Sequence, residues 1–240
     1  MNNTLMVYLS KRLHQNNNNY HSEPHQAGPV ICISREVGCG GVNIARLLAI
    51  ELDKQGGCKK WKVLSKEILD ESARALNMEP NKLRSYLKEG ERGVFDDILA
   101  AFTEKRFKSE RKISKTLIDL IASFAKDGHC IIVGRAGHLI ARDIEKSLFI
   151  KLTAPYDWRV KQIMEKDNLN MREAMDFIEK TEKERQNFIK HISDDNNDDV
   201  KFDLIINLAK LNITQMIEII KFIAKTKGLL EAHTSKVEVF

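Results

Sequence analysis

Short runs of apolar residues recur along the chain, and between them apolar residues return at every third or fourth position. Continuous apolar runs are typical of buried parallel strands, and the three-to-four spacing is typical of amphipathic helices. Strands that alternate with helices in this way predict an α/β fold, with a parallel sheet covered on both faces. The five strands are predicted at residues 30–33, 61–64, 130–133, 148–152 and 202–207.

The first predicted strand ends in a glycine-rich turn. Gly38, Gly40 and Gly41 follow the strand, and an apolar period that starts at Ile44 predicts a helix directly after them. Glycines permit positive φ angles and let a ligand approach the backbone N–H groups closely. The positive end of the helix lies at the same place, so the turn favours a phosphate chain as ligand. The alternative is a turn that only packs the helix against the strand.

The turn differs from the standard phosphate-binding loop, G-x-x-x-x-G-K-[ST]. When Gly40 is aligned with the last glycine, Gly41 takes the lysine position and Val42 the hydroxyl position, while Arg35 takes that of the first glycine. The dinucleotide motif G-x-G-x-x-G also fails, because its third glycine is replaced by Asn43. Glycine spacing alone is therefore weak evidence for a particular ligand.

A long helix is predicted over residues 170–192, and its apolar stripe is interrupted over residues 179–187. A helix packed on a core keeps its apolar stripe, so we expect a lid at about residues 179–193 that leaves the core and returns. A solvated face of i,i+4 ion pairs would explain the same pattern. On a regular helix one face carries Lys180, Glu184 and Asn187, with Lys183 beside it, whereas Arg185 points elsewhere.

Composition limits the function classes. The chain has 240 residues, of which 42% are hydrophobic and 30% charged, as expected of one globular domain. No apolar run is long enough to span a membrane, and no export signal begins the chain, so we expect a cytoplasmic protein. Cys32 and Cys130 lie in apolar runs and are predicted to be buried thiols, and no C-x-x-C pair suggests zinc.

The net charge of +5 suits an anionic small molecule, whereas no zinc-finger or RNA-binding motif makes nucleic acid an expected partner. The acidic run at residues 194–199 is predicted to be a solvated connection, because it lacks the glycine and final glutamate of a calcium loop. Residues 1–28 are predicted to be a flexible leader, residues 29–227 the domain and residues 228–240 a tail. A homodimer is left open.

Three segments together resemble the cytidylate-kinase-like family of P-loop nucleoside monophosphate kinases, and the likeness covers residues 29–227. They are Ile33-Ser34-Arg35-Glu36-x-Gly38-x-Gly40-Gly41-x-x-Ile44-Ala45, Ile131-Ile132-Val133-Gly134-Arg135 and the stretch from Lys180 to Arg185. The resemblance implies a three-layer P-loop kinase fold with a five-stranded parallel sheet, a helical acceptor-side insertion after the second strand, and a basic lid. It also implies transfer of the γ-phosphoryl group of ATP to a nucleoside monophosphate or similar acceptor, with Mg²⁺.

The resemblance suggests a role for each candidate residue, and no protein ligand to a metal is predicted. The backbone around the ATP phosphates is that of Gly38, Cys39, Gly40, Gly41, Val42 and Asn43. The catalytic cations are Arg35, in place of the loop lysine, together with Lys180, Lys183 and Arg185. The acceptor side is assigned to Ser65, which also suits a helix N-cap, and to Lys66, Arg135 and Glu184.

Four positions differ from the cytidylate kinases. Gly41 replaces their loop lysine, Val133 the aspartate that closes the third strand, Ala136 an acceptor-binding aspartate, and Asn187 an acceptor-binding arginine. The acceptor is therefore left open. Two other functional classes are left open: a nucleotide-binding sensor with little or no turnover, and an interaction protein that binds no nucleotide.

Overall fold

A computed structural model describes residues 27–55, 59–65, 118, 121–192 and 201–230. Five strands in these ranges form one sheet in the order β2-β3-β1-β4-β5, and every neighbouring pair is parallel. The predicted α/β class with a five-stranded parallel sheet is confirmed. The strands are β1 (Val30–Arg35), β2 (Lys62–Ser65), β3 (Cys130–Val133), β4 (Ser147–Thr153) and β5 (Leu204–Asn207).

Five helices connect or follow these strands: α1 (Gly41–Asp53), α2 (Gly137–Ile140), α3 (Tyr156–Asp167), α4 (Met171–Ile192) and α5 (Ile213–Thr226). Residues 121–127, directly before β3, are also helical. The short helix α2 was not predicted from the sequence. None of the described helices is long and apolar enough to cross a membrane.

Several predictions fall outside the described residues. They concern almost all of the leader, Lys66 and the acceptor-side insertion that follows Ser65, the acidic run at 194–199 and most of the tail.

The central strand β1 is buried because strands pair with both of its edges and helices α1 and α2 pack against it. Its first four residues are at most 1% exposed. The main core packs α1 and α5 against the sheet, with Leu48 and Ile220 among the buried side chains. This arrangement holds the end of β1 and the start of α1 in fixed positions, on which the site depends.

A second, smaller core joins α3 and α4 beside the end of β1. It consists of Val37, Val160, Ile163, Ala174 and Ile178. Val37 directly follows the first residue after β1, so this cluster attaches both helices to the glycine turn.

Candidate functional site

The glycine turn leads from β1 into α1, and Gly40, the residue before the helix, is exposed. Gly40 is the N-cap residue, with a φ of 56° and no side-chain cap hydrogen bond. The first N–H groups of a helix have no acceptor within the helix, and they carry its positive partial charge. A Cβ atom placed on Gly40 would meet no atom within 4 Å among the described residues. The turn therefore offers an open place for an anion.

Arg35 lies beside the start of α1 and reaches the turn after β3. A Cβ atom at Gly41 would lie 3.3 Å from Cγ and 3.5 Å from Cδ of Arg35, and one at Gly134 would lie 2.8 Å from its Cζ. The stem of Arg35 thus passes the first residue of α1, and its guanidinium lies against the backbone that follows β3. The ends of β1 and β3 therefore lie beside each other at the carboxyl edge of the sheet. Glycine at positions 41 and 134 leaves room for the arginine.

Helix α4 contacts the same place through Arg185. Nη1 of Arg185 donates a hydrogen bond of 3.1 Å to the backbone oxygen of Arg35. Arg185 lies on a different side of α4 from Lys180, Glu184 and Asn187. Those three side chains are exposed, and so is that of Lys183. The polar stretch is part of one continuous helix, and the side that carries Arg185 packs on the loop. The lid at about residues 179–193 stays a prediction.

The turn after β3 adds a third arginine. Gly134, Arg135 and Ala136 have φ values of 71°, 52° and 51°. Left-handed backbone is uncommon for residues other than glycine, and two in succession indicate that the surrounding structure fixes the turn. The guanidinium carbon of Arg135 lies 5.4 Å from the ring centre of Phe188 on α4. Arg35, Arg135 and Arg185 therefore come from three segments to the carboxyl edge of the sheet, where parallel α/β folds bind ligands.

The remaining predicted residues are placed as follows. Ser65 ends β2 and is fully buried beside Val133. Val42 is partly buried against the main core, and Asn43 is exposed, with its N–H group bonded to the oxygen of Gly40 at 3.0 Å. Because Lys66 is not among the described residues, its role and that of Ser65 stay predictions.

Cys39 occupies the loop but is not suited to nucleophilic chemistry. Its side chain is only 2% exposed. Burial, together with the nearby charge of Glu36, raises the pKa of the Cys39 thiol to about 11. Its N–H group donates to the oxygen of Glu36 at 3.3 Å, within the turn. Cys39 therefore shapes the loop and stays protonated near neutral pH.

We expect iodoacetamide at about pH 8 to leave Cys39 unmodified in the folded protein. With a pKa of about 11, the thiolate is about one part in a thousand at that pH, and the sulfur is also buried. Peptide mapping by mass spectrometry measures the modification, with the urea-unfolded protein as the positive control. Rapid modification of native Cys39 would contradict this account.

A buried arginine that the sequence analysis missed joins the loop to both neighbouring helices. Arg159 of α3 is 7% exposed. Its Nε donates to the oxygen of Ala154 at 3.2 Å, and its Nη1 donates to the oxygen of Val37 at 3.3 Å and to Glu182 Oε1 at 2.6 Å. Its Nε also lies 3.5 Å from Glu36 Oε2.

A signal for Arg159 was present in the sequence. It shares the buried stripe of α3 with Val160 and Ile163, although a lone cation in an amphipathic helix is normally exposed. A charged residue on an apolar stripe indicates a buried, paired role.

The residues fit nucleotide phosphates better than they fit a protein-held Mg²⁺. Backbone N–H groups and arginines are the usual partners of phosphate oxygens. The two positions where a P-loop kinase would place metal-facing groups hold Val42 and the fully buried Val133. Among the described carboxylates, Glu36 and Glu182 both contact Arg159. No cluster of three or more metal-binding side chains occurs in the described ranges.

A solved structure shares this architecture. A crystal structure of an uncharacterized protein from Eubacterium ventriosum ATCC 27560 matches with a TM-score of 0.56 and 20% identity, over 83% of this chain and 99% of that one, which shows a common fold. A shikimate kinase from Bacteroides thetaiotaomicron matches with a TM-score of 0.43 and 14% identity, over 82% and 98% of the two chains. This second likeness is weak.

A cytidylate kinase from Staphylothermus marinus is 36% identical over 93 residues, which are 37% of this chain and 52% of that protein. The chain thus aligns with about half the length of this curated relative. The profile of the cytidylate kinase-like family matches residues 30–210, from the start of β1 to beyond the end of β5. The chain belongs to the cytidylate kinase-like family.

Proposed function

We propose that the protein transfers the γ-phosphoryl group of ATP to a nucleoside monophosphate or a similar small acceptor. The observation that carries this proposal is the course of Arg35, whose stem passes Gly41 at the start of α1 and whose guanidinium lies beside Gly134. A guanidinium at this edge of the sheet would supply the positive charge that a P-loop lysine supplies elsewhere. Family membership supports the same reaction class.

Phosphoryl transfer depends mainly on positioning and on neutralising the charge of the phosphate oxygens. Arg35 keeps its charge at all physiological pH values, and its planar fork can bind two phosphate oxygens. The backbone from Gly38 to Asn43 would hold the phosphate chain, and α1 would direct its positive end at it. Mg²⁺, when bound to ATP, neutralises charge between the outer phosphates.

The cations of α4 complete the proposed site. Arg185 is held beside the loop by its bond to the oxygen of Arg35. Lys180 and Lys183 are exposed on the same helix. A shift or rotation of α4 on ligand binding would bring these cations to the transferring group and exclude water.

The acceptor side is proposed to include Ser65, Lys66, Arg135 and Glu184. We expect Lys66→Ala to raise the acceptor KM while ATP affinity stays unchanged, because Lys66 follows the strand on the acceptor side. Initial-rate kinetics and calorimetric titration with ATP measure the two quantities. A loss of ATP affinity with an unchanged acceptor KM would place Lys66 on the other side of the cleft.

A second candidate function is a nucleotide sensor with little turnover. The observation that favours it is the pair of valines, Val42 and Val133, at positions where a P-loop kinase carries metal-facing groups. Both candidates require nucleotide binding at the glycine loop.

Two experiments separate the possibilities. Isothermal titration with ATP and Mg²⁺ tests binding, and its absence would exclude both a kinase and a sensor. An ADP-release assay with a panel of nucleoside monophosphates tests turnover. The proposed kinase releases ADP faster when its acceptor is present, whereas a sensor binds ATP and shows no acceptor dependence.

A further inference from the structure

The first half of the glycine loop is fixed by groups outside the loop. The N–H group of Val37 donates to Glu182 Oε1 at 3.4 Å, and the oxygen of Val37 accepts from Arg159 Nη1 at 3.3 Å. Both hydrogen-bonding groups of this residue are therefore held by side chains of α3 and α4. The same Glu182 oxygen accepts from Arg159 Nη1 at 2.6 Å, so the three groups form one closed arrangement.

The next residue packs directly on the backbone of Arg159. A Cβ atom at Gly38 would lie 2.9 Å from both Cβ and the backbone oxygen of Arg159. Gly38 also has a φ of 92°, which side chains other than hydrogen rarely permit. The position of α3 therefore fixes where the loop turns.

The contacts among Val37, Arg159 and Glu182 also fix the position of α4. Glu182 lies one helical turn before Arg185 and on the same side of α4. The ion pair between Glu182 and Arg159 consequently sets the place from which Arg185 donates to the oxygen of Arg35. Glu36 is a second carboxylate beside Arg159. It also accepts a hydrogen bond of 3.1 Å from the N–H group of Ala154, at the end of β4.

We propose that Arg159 is a positioning residue that couples the docking of α4 to the conformation of the glycine loop. When Glu182 leaves Arg159, the loop loses a partner for Val37, and Arg185 loses its anchor beside Arg35. Phosphate binding at the loop and closure of α4 thereby favour each other. The coupling rests on the proposed nucleotide site, but the link between α4 and the loop is present without ligand.

The competing explanation is that Arg159 is only a structural anchor. A buried ion pair is weak evidence for stability, and removing one partner destabilises a protein wherever the pair lies. Such an anchor would change the melting temperature without a specific effect on the loop or on nucleotide affinity.

The test uses Glu182→Ala, Arg159→Lys and the double variant in the full chain. Lysine keeps the charge but has no fork to contact Val37 and Ala154 together. Glu218→Ala is the matched control, since Glu218 forms a 2.7 Å ion pair with Lys221 on α5. Calorimetric titration gives the affinity for ATP with Mg²⁺, and hydrogen exchange without ligand follows the amides of residues 36–40.

We expect Glu182→Ala and Arg159→Lys each to weaken ATP binding by about 10-fold, and the double variant to be no weaker than the worse single variant. Amide exchange at residues 36–40 should rise in all three variants and not in Glu218→Ala. Unchanged affinity in a folded Glu182→Ala protein, additive losses, or unchanged exchange would overturn the coupling. If the parent protein binds no ATP, the proposed function fails, and the exchange result alone decides whether Arg159 positions the loop.

Discussion

Replacing Arg35 by alanine is expected to lower kcat by about 10³-fold with little change in melting temperature. The physical reason is the proposed role of the guanidinium, which would neutralise charge that develops on the transferring phosphoryl group, and Gly41 provides no side chain to replace it. Steady-state kinetics and thermal unfolding of the same preparation measure the two effects. A lower melting temperature with turnover near that of the parent would show that Arg35 only holds the loop.

A lysine at position 41 tests whether another cation compensates for the loss of Arg35. Because a Cβ atom at position 41 would lie 3.3 Å from Cγ of Arg35, Gly41→Lys alone should crowd the arginine and reduce activity. Combined with Arg35→Ala, the same lysine has room to extend towards the phosphates as a P-loop lysine does. We expect the double variant to exceed Arg35→Ala in kcat, and Arg35→Ala with Gly41→Ala serves as its control. Equal kcat values for the two double variants would show that a lysine at position 41 does not take over the role proposed for Arg35.

The second large effect is expected at Gly40. Gly40→Asn should weaken ATP binding by about 100-fold or more, which corresponds to about 2.7 kcal/mol. A side chain there enters the open space in front of α1, which phosphate would occupy. Asparagine is chosen because it tolerates the left-handed backbone, whereas valine would add strain at the φ of 56°.

Gly228→Asn is a matched control for this substitution. Gly228 has a φ of 68°, and a Cβ atom on it would also meet nothing within 4 Å in the described part of the chain. Gly228 follows α5, away from the loop. Calorimetric titration of both variants should show a loss of ATP affinity for Gly40→Asn alone. Equal affinities for the two would place the nucleotide elsewhere.

Much of the fold was predictable because buried parallel strands and amphipathic helices leave simple patterns. Strand β3 was predicted with its observed limits, since all four of its residues are buried. Strand β5 was predicted two residues too early. Asp203, which precedes it, is joined to Phe149 of β4 by its backbone N–H group and by its carboxylate, which accepts from the N–H group of Phe149. Apolar content alone could not show this contact.

The loop and its helix were predictable from the glycines, but the partners of the loop were not. The spacing predicted a helix directly after the three glycines, and the structure begins it slightly earlier, at Gly41 itself. The spacing of apolar residues could not show that the Glu182 side chain packs towards the loop, because the sequence around Glu182 contains no apolar residue. Its partner is Arg159, which lies 23 positions away on another helix, and a pairing of two charges across helices leaves no periodic pattern.

The most direct test of phosphoryl transfer follows the γ-phosphoryl group itself. The protein is incubated with Mg²⁺ and ATP labelled in the γ-phosphate, with each nucleoside monophosphate in turn, and the labelled products are separated. We expect label on at least one acceptor, at a rate that falls about 10³-fold in Arg35→Ala. Label that stays on ATP or appears only as inorganic phosphate with every acceptor would contradict transfer to a nucleoside monophosphate.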